Sequence, residues 1–220
     1  MGTNSSISRI ALVAGATGLV GRECLRLLAC DDCISEVRAL VRRPLPQDSI
    51  GPRVRECRTE FDHLHNYPDW FEVDWVFCAL GTTIRQVGSQ EAFRRVDYEY
   101  PLAIAKAARA RGASHFLLVS ALGANAHSRV FYSRVKGELE DAVLGLGYPS
   151  VTIARPSVLL GDRQERRLGE GLAKRLAWLA PPRWRPVHAR QVALALVRAA
   201  KAQLGGVHVL ENAALRTSAF

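Results

Sequence analysis

At 220 residues with 48% hydrophobic content, the chain can bury a sizeable core as one domain. No apolar run approaches the roughly 18 residues of a membrane-spanning helix. The formal charge of +9 invites a nucleic-acid reading, but the arginine pairs Arg42-Arg43, Arg94-Arg95 and Arg166-Arg167 are strewn without any recognition motif, so small anions and a solvated basic surface are expected and a specific nucleic-acid partner is not.

Residues 1–8 read as a short polar tail rather than a secretory signal, and 9–220 as a single domain. The five cysteines are scattered and odd in number, and Cys30-x-x-Cys33 has no second pair to complete a zinc site. No metal is expected. Reduced thiols and a cytoplasmic location are the default reading.

The apolar run 10–14 meets a turn with Gly15, Gly18 and Gly21 at every third position, and residues 22–28 then carry apolar side chains at helical spacing. Plain turns carry such glycines too. Strand before and helix after make this one the dinucleotide version: tight reversal, close approach of a pyrophosphate, and tight helix packing. Contacts to the nucleotide are expected at Gly15, Thr17, Gly18, Leu19 and Val20, where free N–H groups meet the positive helix end.

A second strand, 36–41, ends in Arg42-Arg43-Pro44 with no acid at that end. In such folds an acid there binds the ribose hydroxyl of NAD, whereas arginine accepts the 2′-phosphate of NADP. Arg42 and Arg43 are therefore candidates to clamp that phosphate, the bland alternative being two solvated arginines. Residues 54–57 read as an edge-like strand, and 60–70 as irregular, with His63 and His65 as surface histidines. The run 73–80 has the continuous apolar character of a buried parallel strand.

Residues 89–111 are helical in pattern with Pro101 inside, which predicts two helices meeting around Asp97, or a kink there. A fifth strand, 114–120, ends in Ser120, and a helix opens at Phe131. Tyr132 and Lys136 fall on one face of that helix. The lysine charge would favour tyrosinate, bringing the phenol towards the neutral range where it exchanges protons with a substrate oxygen, with Ser120 hydrogen-bonding that oxygen. A strand over 148–155, a charged break at 162–167, an apolar helical stretch through Trp178, a loop over 181–186, an amphipathic helix over 188–202 and a strand over 206–210 complete the chain. Trp178 and Trp184 read either as core or as an apolar pocket wall. Strands alternating with helices give an α/β doubly wound parallel sheet, the NAD(P)-binding Rossmann arrangement, with a short C-terminal segment to cover the substrate.

Taken together, Gly15-x-x-Gly18-x-x-Gly21, Cys78-Ala79-Leu80-Gly81-Thr82-Thr83, Val96-Asp97, Tyr132-x-x-x-Lys136-Gly137-Glu138 and the stretch from Arg155-Pro156-Ser157-Val158 to Gln164-Glu165 resemble the atypical, single-domain branch of the short-chain dehydrogenase/reductase superfamily. Within it the chain resembles the oxidoreductase family of the Tat-interactive protein TIP30 and its bacterial relatives, from about Ile10 to Asn212. The resemblance implies an NADP(H)-dependent oxidoreductase acting on a small carbonyl or alcohol. Tyr132 would be the general acid/base, Lys136 would hold the nicotinamide ribose and Ser120 would orient the substrate oxygen. Leu80, Gly81, Thr82, Pro156 and Val158 would line the cofactor. The sequence departs from common superfamily patterns at Asp97, where asparagine is frequent, at Ala121, where serine is, and at Glu60, where aspartate is. The competing reading is an NADP(H)-binding regulatory or sensor protein without significant catalysis. A second copy of the chain or another protein stays open as a partner.

Overall fold

The computed structural model describes residues 8–47, 51–161 and 181–217. The first apolar run forms strand β1 (Arg9–Ala14) and the glycine turn leads into helix α1 (Leu19–Ala29). Strands β2 (Ile34–Val41) and β3 (Val54–Arg58) follow, then two 3-10 turns over Phe61–Asn66 and Pro68–Phe71. Strand β4 (Trp75–Cys78) is followed by two short helices, α2 (Ile84–Val87) and α3 (Gln90–Arg94). A π-turn, Arg95–Glu99, joins α3 to α4 (Tyr100–Ala110). The chain continues with β5 (His115–Val119), α5 (Phe131–Leu144), β6 (Ser150–Arg155) and the two-residue strands β7 (Leu159–Leu160) and β8 (Val187–His188). Helix α6 (Ala189–Ala202), β9 (Gly206–Glu211) and α7 (Asn212–Thr217) end the described part.

Seven strands form one parallel sheet in the order β3-β2-β1-β4-β5-β6-β9, and β7 pairs with β8 separately. The period of two along each strand explains why the central strands are apolar throughout. Ala11 and Val13 pack with Leu25 and Leu28 of α1 and Val192 and Leu196 of α6, while Leu12 and Ala14 pack with Ile104 of α4 and Leu139 of α5. Each such fully buried leucine or isoleucine contributes about 1.5–3 kcal/mol. Between β1 and β4 the order reverses, and a crevice opens beyond the carboxyl ends of these strands.

Several boundaries differ from the sequence reading, two of them for plain physical reasons. Strand β4 stops at Cys78, short of the apolar run, because Ala79 and Leu80 pass over the glycine turn; a Cβ on Gly15 would lie 2.6 Å from the Ala79 carbonyl oxygen. The strand expected from 148 begins at Ser150, after Pro149, which has no N–H for the ladder. The joint expected around Asp97 is the π-turn: Pro101, in the first turn of α4, cannot donate to the carbonyl four residues back, which is that of Asp97. Trp184 is not core, nor does it line the cavity described below. It is 54% exposed on a single turn, Pro182–Trp184. The tail up to residue 7, the charged break at 162–167 and the stretch through Trp178 lie outside the described residues.

Candidate active site

The glycine turn is built by contact as much as by torsion. Gly15 has φ of +82°, a conformation that L side chains rarely adopt. A Cβ on Gly21 would sit 2.1 Å from the Gly15 carbonyl oxygen, so the first turn of α1 lies against the loop that feeds it. The Gly18 N–H donates to the Gly15 carbonyl at 2.9 Å, and Gly18 caps α1 with no side-chain bond to its first amides. An uncapped helix start facing a crevice is a place for an anion.

The other wall comes from β5, α5 and the π-turn. Helix α5 lies so close to the loop after β5 that a Cβ on Gly137 would fall 2.1 Å from the Ala126 nitrogen. That approach brings Tyr132 and Lys136 to the crevice beside Ser120. The Tyr132 ring leans on Phe93 of α3, with centroids 5.5 Å apart, and is 37% exposed. Ser120 is buried and its hydroxyl has no hydrogen-bond partner among the described residues, a cost of about 1–3 kcal/mol unless a ligand meets it.

Lys136 is not a bare charge beside the tyrosine. Its Nζ lies 2.8 Å from Oδ1 of Asp97, and both side chains are almost completely buried. The Thr82 N–H donates to the other Asp97 oxygen at 2.9 Å. Burial pulls the Lys136 ammonium down, but the Asp97 carboxylate and the neighbouring Tyr132 outweigh it and hold the group above the ordinary lysine value. Burial pushes the Asp97 carboxyl above the usual range against the opposing pull of Lys136 and the Thr82 amide. The lysine charge that the sequence directs at Tyr132 is shared with Asp97.

These groups line one cavity of about 800 Å³, together with Thr17, Gly18, Leu19, Val20, Leu80, Gly81, Thr82 and Leu159. Not every expected contact lies in its wall. Gly15 shapes the turn from behind. Arg42 and Arg43 are exposed just past β2, the Arg42 guanidinium 5.9 Å from the Phe61 ring centroid. Pro156 is buried, its carbonyl accepting from the Leu122 N–H at 2.8 Å, and Val158 is exposed. Gln86, which sequence reasoning missed, also lines the cavity, as does Thr83 at the end of the Gly81-Thr82-Thr83 run. Helix α2 presents them: the Thr83 hydroxyl accepts from the Gln86 N–H and Gly88, with φ of +87°, ends the helix. Thr-x-x-Gln followed by glycine was the signal for that element. His63 and His65 are exposed, and among the described residues no cluster of three metal-ligating side chains forms.

A doubly wound parallel sheet with a glycine turn at its switch point, facing a serine, a tyrosine and a lysine across the crevice, defines a Rossmann-type protein. The chain belongs to the NAD(P)H-binding family, whose profile matches residues 15–167. Rat Protein HTATIP2 is 35% identical over 215 residues, spanning 94% of this chain and 88% of the rat protein, in agreement with the resemblance to the TIP30 family. Protein FMP52, mitochondrial, of Eremothecium gossypii is 38% identical over 163 residues, 73% of this chain and 71% of the fungal protein. The solved structure of MoeE5 in complex with UDP-glucose and NAD matches with a TM-score of 0.71 over 92% of this chain and 75% of that chain; at 18% identity this is a likeness of fold.

Proposed function

We propose that the chain is an NADPH-dependent oxidoreductase that interconverts a small carbonyl compound and its alcohol, with Tyr132 as general acid/base. The observation that carries this reading is the convergence of an uncapped helix start, an unpartnered buried Ser120 hydroxyl and the Tyr132–Lys136 face on one cavity of about 800 Å³. The features fit a nicotinamide dinucleotide: the space above Gly18 would be narrowed by any Cβ there, 3.2 Å from the Gly15 oxygen, and the amides of Leu19 and Val20 are free of side-chain caps.

When bound, the cofactor supplies a hydride to the carbonyl carbon or takes one from the alcohol. The residues of the chain do the rest. Gly18, Leu19 and Val20 receive the pyrophosphate, with Gly15 and Thr17 shaping the turn. Arg42 and Arg43 take the 2′-phosphate. Leu80, Gly81 and Thr82 border the nicotinamide half, and Lys136 reaches the ribose. Ser120 donates to the substrate oxygen, and Tyr132 gives its phenolic proton to that oxygen in reduction or accepts it in oxidation. Solvent at the exposed edge of Tyr132 restores the proton. Residues 9–220 would fold as one unit around this site, with a small molecule rather than nucleic acid as partner. The cytoplasm is the proposed location; the fungal relative's name makes mitochondria the competing result of cell fractionation.

Tyr132→Phe tests the role directly. It keeps the ring against Phe93, so NADPH affinity should stay within a few-fold, while turnover of a panel of aldehydes, ketones and quinones falls by about 10²–10⁴. A wild-type protein that binds NADPH tightly yet reduces nothing on the panel would turn the reading to a sensor.

A further inference from the structure

Among the described residues, the cavity wall contains only two charged side chains, Lys136 and Asp97, and they form one ion pair. The site therefore presents no net charge where the serine, tyrosine and lysine meet. Asparagine at position 97 could accept the Thr82 N–H equally well but would leave the ammonium uncompensated. The difference bears on the cofactor, because the nicotinamide ring is cationic when oxidised and neutral when reduced. An uncompensated lysine would repel only the oxidised form.

We propose that Asp97 is the counter-charge that lets this site hold the oxidised cofactor beside Lys136, and so sets the relative affinity for the two redox forms. The proposal rests on the cofactor reading above and deepens it. Asp97 acts through Lys136 and is a positioning residue in that sense. Its place is fixed by three elements: the π-turn that carries it, α5 that brings Lys136 to it, and the Thr82 amide after β4. Gly81 leaves the approach open, since even a Cβ there would stand 3.5 Å from Asp97 Oδ1 and 3.8 Å from Lys136 Nζ. Both residues of the pair line the cavity, beside Gly81 and Thr82.

The experiment is calorimetric titration of NADP⁺ and NADPH into wild type and variants, read as the ratio of their dissociation constants. The 2′-phosphate is common to both ligands and cancels. For Asp97→Asn at pH 6.5, NADP⁺ should weaken relative to NADPH on the order of tenfold, the effect of one uncompensated charge across a partly solvated cavity. Lys136→Gln at pH 8 leaves the carboxylate and should move the ratio the other way; it decides the matter if Asp97→Asn does not fold. A merely structural role would weaken both forms together, and an unchanged ratio in the variants overturns the proposal. Wild-type protein that binds neither form overturns the cofactor reading and this proposal with it, a failure visible before any variant is made.

Discussion

The third glycine of the turn is among the least forgiving residues in the site, and the second the most telling. A Cβ on Gly21 meets the Gly15 carbonyl oxygen at 2.1 Å, backbone against backbone, with nothing flexible to give way. Gly21→Ala should cost about 1–3 kcal/mol or more in urea unfolding, as overpacking does. A Cβ on Gly18 meets the same oxygen at 3.2 Å, which a small shift relieves. Gly18→Ala should therefore keep most of the stability and lose cofactor affinity; the reverse pattern in the two variants would sink the assignment of the turn. Arg42 and Arg43 make a second test at this scale. Charge-assisted bonds contribute roughly 1.5–3 kcal/mol each, so two to a 2′-phosphate favour NADPH over NADH by about two orders of magnitude. Either arginine replaced by alanine should weaken NADPH and spare NADH, and equal wild-type affinities by fluorescence titration would remove the arginines from the site. Glycine spacing and the Tyr132–Lys136 interval were legible because they are local rules of turn and helix. The partner of Lys136 was not, since Asp97 reaches it only through the packing of α5 on the π-turn.

At the scale of elements, the strands and helices followed from periodicity, and their ends from particular residues such as Pro149 and Pro101. What periodicity does not show is which polar residues the sheet buries. His115 opens β5 and is 3% exposed, hydrogen-bonded at 2.9 Å to Thr152 on β6, the strand next to it; Thr152 is in register with His208 of β9. Burial, helped by the nearby His208, pushes the His115 pKa down to about 4. The folded state thus binds this proton less readily than the unfolded chain, whose histidine titrates near 6.5. Stability is full above about pH 6.5 and is lost as the pH falls from there towards 4. The loss attributable to this residue is about 2–3 kcal/mol by pH 4.5, at roughly 1.4 kcal/mol per pK unit. His115→Gln keeps a hydrogen-bonding side chain and removes the titration. Urea unfolding at pH 7 and 4.5 should show the wild type losing that much more than the variant; equal losses would mean the sheet protonates elsewhere.

Over the whole molecule, the charge of +9 has to be reconciled with a site for a small anion. Many basic side chains are already engaged: Arg9 with Asp74, Arg53 with Asp32, Arg95 with Asp62, Arg111 with Glu72 and Lys201 with Asp31. Sequence-specific nucleic-acid binding needs base contacts from an element seated in a groove. Some helical arginines are set beside carboxylates: α5 places Arg134 beside Glu138, and α1 places Arg26 beside Glu23. What such a surface does support is loose attraction to phosphates. If about four phosphates are neutralised, affinity falls roughly 150-fold between 50 and 200 mM salt. Filter binding of random and defined DNA and RNA across that range should show retention only at the low end, with no preference among sequences. A complex that survives 150 mM salt and prefers one sequence would move the function from small-molecule chemistry to nucleic acid.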